Sequence, residues 1–312
     1  MGCRARAIRD ESQARGFAVV RQAMSEVGVY DADLVAFDRR TVFVWFEQRG
    51  VGADCDRIDG VAWRFAMVRL ALMFTALCFA LSGAAAEPVV LTAADGVKVY
   101  GQYWPAANSK APLILAFHQA ESSHFEYVPL APRLNRAGFS VLAIDQRSGG
   151  SEFEGENQTV QARGGSAPYD DALADLEAAL TWGRAHANGA PLLAWGSSYS
   201  AALVFVLAAK HPTDVQGLLA FSPGEYLNGP DKVARAARSL RQPVFIDQAS
   251  SDDEIAASRA IFRVVPASGK TLFVGRAEGV HGSATLRADR NPRGSEENWN
   301  AVMAFLTRFT GK

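Results

Sequence analysis

Residues Pro191 to Lys210 read Pro-Leu-Leu-Ala-Trp-Gly-Ser-Ser-Tyr-Ser-Ala-Ala-Leu-Val-Phe-Val-Leu-Ala-Ala-Lys. The apolar run Leu192 to Trp195 has the length of a buried strand, and Ala201 to Ala209 is apolar on nearly every side, as in a buried helix. Only Gly196 to Ser200 remain to turn the chain between them. So short a turn strains its central residue, Ser198, and needs small residues two places to either side, where strand and helix close on each other. Gly196 and Ser200 meet that need. The pattern is G-x-S-x-G with Ser in the last place, a nucleophile elbow. Such a turn holds a Ser hydroxyl at the mouth of a sheet and aims the free N–H of Tyr199 and the helix dipole at developing negative charge. The bland alternative is a Ser-rich turn before a core helix. The strand before and the buried helix after favour the chemical reading.

Outward from this turn, strands and helices alternate. Val89–Thr92 and Val97–Trp104 flank the turn Ala94-Asp95-Gly96 and are expected to pair as a hairpin. Unbroken apolar runs at Pro112–Phe117 and Phe139–Ile144 predict central strands of a parallel sheet. Helical spacing predicts helices over Phe125–Ala137, ended by Gly138, and over Tyr169–Ala187. Glu152–Pro168 is polar and Gly-rich, and long for a loop, so it is expected to be mobile or to border a site. After the elbow come strands at Val215–Phe221, Pro243–Asp247 and Thr271–Gly275, with helices at Asp231–Arg241, Asp252–Val264 and Glu296–Phe309. The pattern predicts a wound, mostly parallel sheet with helices on both faces and little or no cap. Ligands of such sheets gather at the carboxyl ends of the strands. His118, Ser198, the Asp252/Asp253 pair and His281 all fall there.

A Ser hydroxyl needs a base within hydrogen-bond reach, and that base needs an acid to fix its tautomer. Of the five His in the chain, His186 and His211 fall at helix ends, where surface or capping roles are the simpler account, and His124 starts a helix. His281, in Gly279-Val280-His281-Gly282-Ser283 after the last strand, is placed to be the base. The acid is expected after the strand ending at Asp247. Asp252 and Asp253 both lie in the turn before the helix, where either could be its N-cap. Asp253 is preferred, because Asp-Glu-Ile opens that helix. An oxyanion site needs two N–H donors. Tyr199 supplies one, and Ala120 or Gln119, after the strand ending at Phe117, supplies the other.

Taken together, these motifs resemble those of the α/β-hydrolase superfamily, and within it the small dienelactone-hydrolase-like members, over Val89 to Phe309. His118-Gln119-Ala120 is similar to that family's His-Gly-x oxyanion loop, with Gln for Gly. Asp145-Gln146-Arg147-Ser148-Gly149-Gly150-Ser151 is similar to its Asp-x-Arg-Gly-x-Gly-x-Ser turn, with Ser for the first Gly. The resemblance implies Ser198 as nucleophile, His281 as base and Asp253 as acid. Dienelactone hydrolases proper use a Cys nucleophile, so their substrate is not implied. The expected activity is hydrolysis of a small ester-like substrate through an acyl-enzyme. The alternatives are a peptidase or amidase on the same residues, or a non-catalytic binding protein with this fold.

Composition is compatible with a globular core: 312 residues, 49% hydrophobic and 21% charged. A formal net charge of −1 gives no case for nucleic acid or an anionic membrane surface. Cys3, Cys55 and Cys78 match no zinc spacing and no disulfide framework, and no metal or organic cofactor is implied. Residues 67–86 carry a basic start at Arg69, an apolar core from Leu70 to Leu81 and Ala84-Ala85-Ala86, the three parts of a secretory signal. The apolar run is shorter than the about 20 residues of a bilayer span. The expectation is an exported protein, periplasmic or extracellular, whose globular domain covers 87–312. The rival is an anchor through 67–86, which would be its only tie to a membrane. Residues 1–66 carry no repeat or motif and are expected to be an over-extended N-terminus.

Overall fold

The computed structural model describes residues 34–38, 41–45 and 86–310. The signal-like stretch lies outside them except for Ala86, as does most of 1–66. The chain divides into two compact units, Met1–Phe74 and Thr75–Lys312. In the first, β1 (Leu34–Asp38) pairs antiparallel with β2 (Thr41–Trp45). Among the described residues no helix is long and apolar enough to cross a membrane.

In the second unit the uninterrupted apolar runs form the centre of an eight-stranded sheet. β5 (Leu113–Phe117), β6 (Ser140–Ile144), β7 (Leu192–Ser197), β8 (Gly217–Phe221) and β9 (Val244–Asp247) are buried at every residue. They run parallel, with β10 (Thr271–Leu272) beyond β9 at one edge. The predicted hairpin, β3 (Glu87–Thr92) and β4 (Lys98–Trp104), joins antiparallel at the other edge. The order is β10-β9-β8-β7-β5-β6-β4-β3. β5 and β7 are neighbours, so the loops after both strands open onto the same place.

A strand buried on both faces needs cover on both, and alternate residues supply the two contact surfaces. Leu115, Ala194, Leu218 and Ile246 face a layer containing α3 (Leu173–His186) and α4 (Tyr199–Lys210). Ile114, Trp195, Leu219 and Phe245 face α1 (Ala131–Arg136) and α7 (Ser295–Leu306), with Leu134, Trp299 and Phe305 among the contacts. On that second face Trp195 stacks on Phe221 at 4.7 Å, and Phe245 meets Phe305 at 5.4 Å between ring centroids. Burial of each such ring stabilises the fold by about 1.5–3 kcal/mol.

Four expected elements change length. Phe125–Ala137 is not one helix: a 3₁₀ turn at His124–Glu126 is followed by α1. Pro129 and Pro132 lack the N–H a continuous helix needs, and Pro132 is tolerated only because it falls in the first turn of α1. Glu152–Pro168 is not plain loop but holds a 3₁₀ turn, Glu152–Glu154, and α2 (Gln158–Arg163), whose N-cap Asn157 accepts from the Val160 N–H at 2.8 Å. The basic helix shortens to α5 (Lys232–Ala237). The last strand shortens to β10 because the Phe273 carbonyl accepts from the Gln248 side chain at 2.7 Å instead of continuing the ladder. The helix after β9 is α6 (Asp252–Val264), as expected.

Candidate active site

Ser198 lies between β7 and α4 with φ 57° and ψ −120°, the strained backbone the elbow requires. Its N–H donates to the Phe221 carbonyl at 2.8 Å, which ties the turn to β8. A Cβ at Gly196 would collide with the backbone of Ser200 and Ala201, so that glycine is forced by close approach. Ser200, standing where the motif has its second glycine, is not merely tolerated. Its hydroxyl donates to the His118 carbonyl at 2.6 Å and accepts from the Gln146 amide at 2.5 Å.

His281 meets Ser198 across 83 positions of sequence, with Nε2 2.8 Å from Ser198 Oγ. Its Nδ1 lies 2.8 Å from a carboxylate oxygen, and that carboxylate belongs to Glu254. This corrects the expectation of Asp253. Asp252 and Asp253 are exposed on the first turn of α6, and neither bonds to His281. Successive helix positions turn by about 100°, so Asp253 points to solvent while Glu254 faces the His281 loop. The longer Glu side chain also reaches back to the Ala249 N–H with its other oxygen, at 3.2 Å. Two more bonds stitch the loops together: Ser250 N–H to the Gly279 carbonyl, 3.1 Å, and Gly279 N–H to Ser250 Oγ, 2.7 Å. Ser251-Asp252-Asp253-Glu254 is a capping-box pattern, in which the Glu turns back toward the preceding turn, but nothing in it says that His281 meets the Glu there.

The hydrogen-bond roles follow from the chemistry. A carboxylate only accepts, so His281 carries its proton on Nδ1 and Nε2 accepts from Ser198 Oγ–H. The Glu254 hydrogen bond raises the His281 pKa above the ordinary imidazole value, against burial, which lowers it. For Glu254, burial acts to raise the pKa, but the hydrogen bond from His281 and other donors outweigh it and the carboxyl ends below its usual range.

On the other side of Ser198, the loop after β5 is held by His118. Burial pushes the His118 pKa down to about 4, so the ring is neutral. Its Nδ1–H donates to the Gln119 carbonyl at 2.7 Å, and Nε2 accepts from the Gln146 N–H at 2.9 Å. Of the two residues predicted as oxyanion donors on this loop, Gln119 is engaged elsewhere: its N–H donates to Glu126 at 2.8 Å. Among the described residues no acceptor takes the N–H of Ala120 or of Tyr199. The Gln119 side chain bonds Glu152 at 2.8 Å, so the Glu152–Pro168 segment borders the site.

The Asp145–Ser151 turn is scaffolding for this arrangement. Asp145 accepts from the N–H and Nδ1 of His124 and from the Gln158 N–H. Arg147 is clamped between Asp175 of α3, at 2.7 Å, and Asp95 of the hairpin turn. His186 and His211 lie away from Ser198: His186 bonds the Trp182 carbonyl and His211 bonds Glu177.

Residues 108–249 match the family described as serine aminopeptidase, S33. An esterase of Pyrococcus furiosus superposes with TM-score 0.53 at 19% identity, over 73% of this chain and 92% of that one. A dienelactone hydrolase of Anabaena variabilis gives 0.56 at 18%, over 73% and 100%. A cold-adapted esterase from an Arctic intertidal metagenomic library gives 0.54 at 24%, over 72% and 94%. No curated protein matches the sequence closely enough to count as a relative. The chain has the α/β-hydrolase fold, with Ser198 at the elbow.

Proposed function

We propose that the protein is a serine hydrolase of an ester-like bond, working through Ser198, His281 and Glu254. The observation that carries this reading is the continuous hydrogen-bonded chain from Ser198 Oγ through His281 to Glu254, 2.8 Å at each link. Ser198 attacks the substrate carbonyl while His281 Nε2 takes its proton, and Glu254 stabilises the imidazolium. The carbonyl oxygen becomes an anion between the N–H groups of Tyr199 and Ala120. Collapse expels the alcohol, protonated by His281, and leaves an acyl-Ser198. Water, deprotonated by the same ring, then releases the acid and restores the hydroxyl. No step calls for a metal or organic cofactor. The esterase neighbours favour an ester as the bond cleaved.

Export through the signal-like stretch 67–86 is part of the proposal. Mass spectrometry of the N-terminus of protein recovered from the cell exterior or periplasm checks it; a peptide from Gly16 to Arg49 there overturns it.

The chemistry is tested by Ser198→Ala, expected to keep its circular dichroism and lose p-nitrophenyl acetate turnover, and by fluorophosphonate labelling of Ser198. An unlabelled Ser198 or full activity in the variant sinks it. The serine aminopeptidase match favours one second reading, cleavage of an amide on the same residues. Turnover of aminoacyl p-nitroanilides above that of p-nitrophenyl esters would select it.

A further inference from the structure

Beneath the elbow lies a carboxyl that the chemistry above does not use. Glu126 ends the 3₁₀ turn after the β5 loop and is fully buried. Its Oε2 accepts from the Gln119 N–H at 2.8 Å, and its Oε1 from the Ser197 hydroxyl at 2.7 Å. Ser197 Oγ in turn accepts from the Ser283 N–H at 2.8 Å. Each tie ends beside a group with a part in the reaction. Gln119 precedes Ala120, Ser197 precedes Ser198, and Ser283 follows His281 by two residues.

We propose that the Glu126 carboxylate is a positioning residue of the hydrolytic site, holding the oxyanion loop, the elbow and the base-bearing loop in mutual register. The inference rests on Ser198 being the nucleophile. The physical reason is acceptor count. An ionised carboxyl accepts at both oxygens, and here each meets a donor. A neutral carboxyl turns one of its oxygens into a donor, which then faces either the Gln119 N–H or the Ser197 hydroxyl. A buried donor left without an acceptor is costly, so the loop that loses its bond shifts. The backbone of Gln119 carries Ala120 with it.

The charged and titratable groups around Glu126 pull in both directions. Burial dominates and lifts its pKa to about 7, with Glu152 adding to the rise, while Ser197, the Gln119 N–H and Arg287 oppose it. Its charge is felt in turn by His281, Tyr127 and Tyr199. The active form therefore needs two deprotonations, of His281 and of Glu126. In the wild type the acid limb of log(kcat/KM) against pH should steepen toward a slope of two. Glu126→Gln keeps the shape of the side chain but offers one acceptor and one donor, as the protonated carboxyl does, and leaves the Ser197 hydroxyl without its acceptor. That variant should show the lowered activity of the protonated form at every pH and an acid limb with a slope of one. A residue that merely supports the fold would leave the slope unchanged.

The experiment follows p-nitrophenyl acetate hydrolysis from about pH 4.5 to 9, after fluorophosphonate labelling has established the nucleophile. No label on Ser198 refutes the hydrolase reading itself. With Ser198 labelled, a one-proton limb in the wild type, or a two-proton limb retained by Glu126→Gln, overturns the role of Glu126 alone. Ser197→Ala guards against a misfolded Gln variant. It removes one donor from the carboxylate, so the limb should move to higher pH; an unmoved limb overturns the proposal.

Discussion

His281 Nδ1 and Glu254 Oε1 stand 2.8 Å apart, although 27 positions separate the residues and two acidic neighbours, Asp252 and Asp253, precede Glu254 on the same turn of helix. One residue of helical rotation decides which carboxylate serves the imidazole. Glu254→Ala should lower kcat for p-nitrophenyl acetate by about 10²–10⁴-fold. Asp253→Ala should stay within a few-fold of wild type. A comparable loss in Asp253→Ala would refute the assignment of Glu254.

The same pair sets a pH dependence. In the proposed chemistry His281 must be neutral to take the Ser198 proton, and its pKa is raised by Glu254, so its ionisation should fall above the ordinary value of about 6.5. Glu254→Gln should move that ionisation toward acid, as read from the pH profile of kcat/KM. Stability follows the opposite sense. Because the folded pKa of His281 is raised, its contribution is complete below the unfolded value of about 6.5 and is lost as pH rises through the folded one. Glu254, with a lowered pKa, contributes fully above about 4.3 and loses that contribution as pH falls through its folded value. The pair is therefore fully formed between about pH 4.5 and 6.5, where urea midpoints measured across pH should show its full effect. His281 is partly exposed, so solvent screening keeps the effect small.

Gly282 follows His281 with φ +69°, and a Cβ there would strike Ser197 Oγ and come within 2.6 Å of Gln119 Oε1. Gly282→Ala should cost about 1–3 kcal/mol in urea unfolding, and it should reduce activity by displacing His281. A variant with wild-type turnover would show that the loop accommodates a side chain without moving its imidazole.

Ser200 is the departure from the glycine-rich elbow pattern, and its hydroxyl is bonded at both ends. Restoring the pattern with Ser200→Gly should therefore destabilise, by about 1–3 kcal/mol, because the His118 carbonyl and the Gln146 amide lose a buried partner. Denaturant midpoints of the two proteins check this. An unchanged or higher midpoint would mean that the hydroxyl is incidental.

The strands were legible because burial on both faces leaves continuous apolar runs, as at Leu113–Phe117 and Leu192–Trp195. The elbow was legible because strand, five-residue turn and apolar helix adjoin in the chain. Helix lengths were less so. Pro129 and Pro132 break a pattern whose apolar spacing alone looks continuous. Edge elements such as β10 depend on a side-chain competitor, Gln248, that no local signal announces.

The sequence by itself determined the order of strands and helices, the strained serine and the histidine after the last strand, since each rests on residues adjacent in the chain. Tertiary structure alone decided which acid meets that histidine, which amide of the His118-Gln119-Ala120 loop stays free, and that Glu126 underlies them all. Those outcomes depend on the rotation of a helix and the approach of distant loops. Differences of one residue or of a single hydrogen bond there leave no trace in local composition or periodicity.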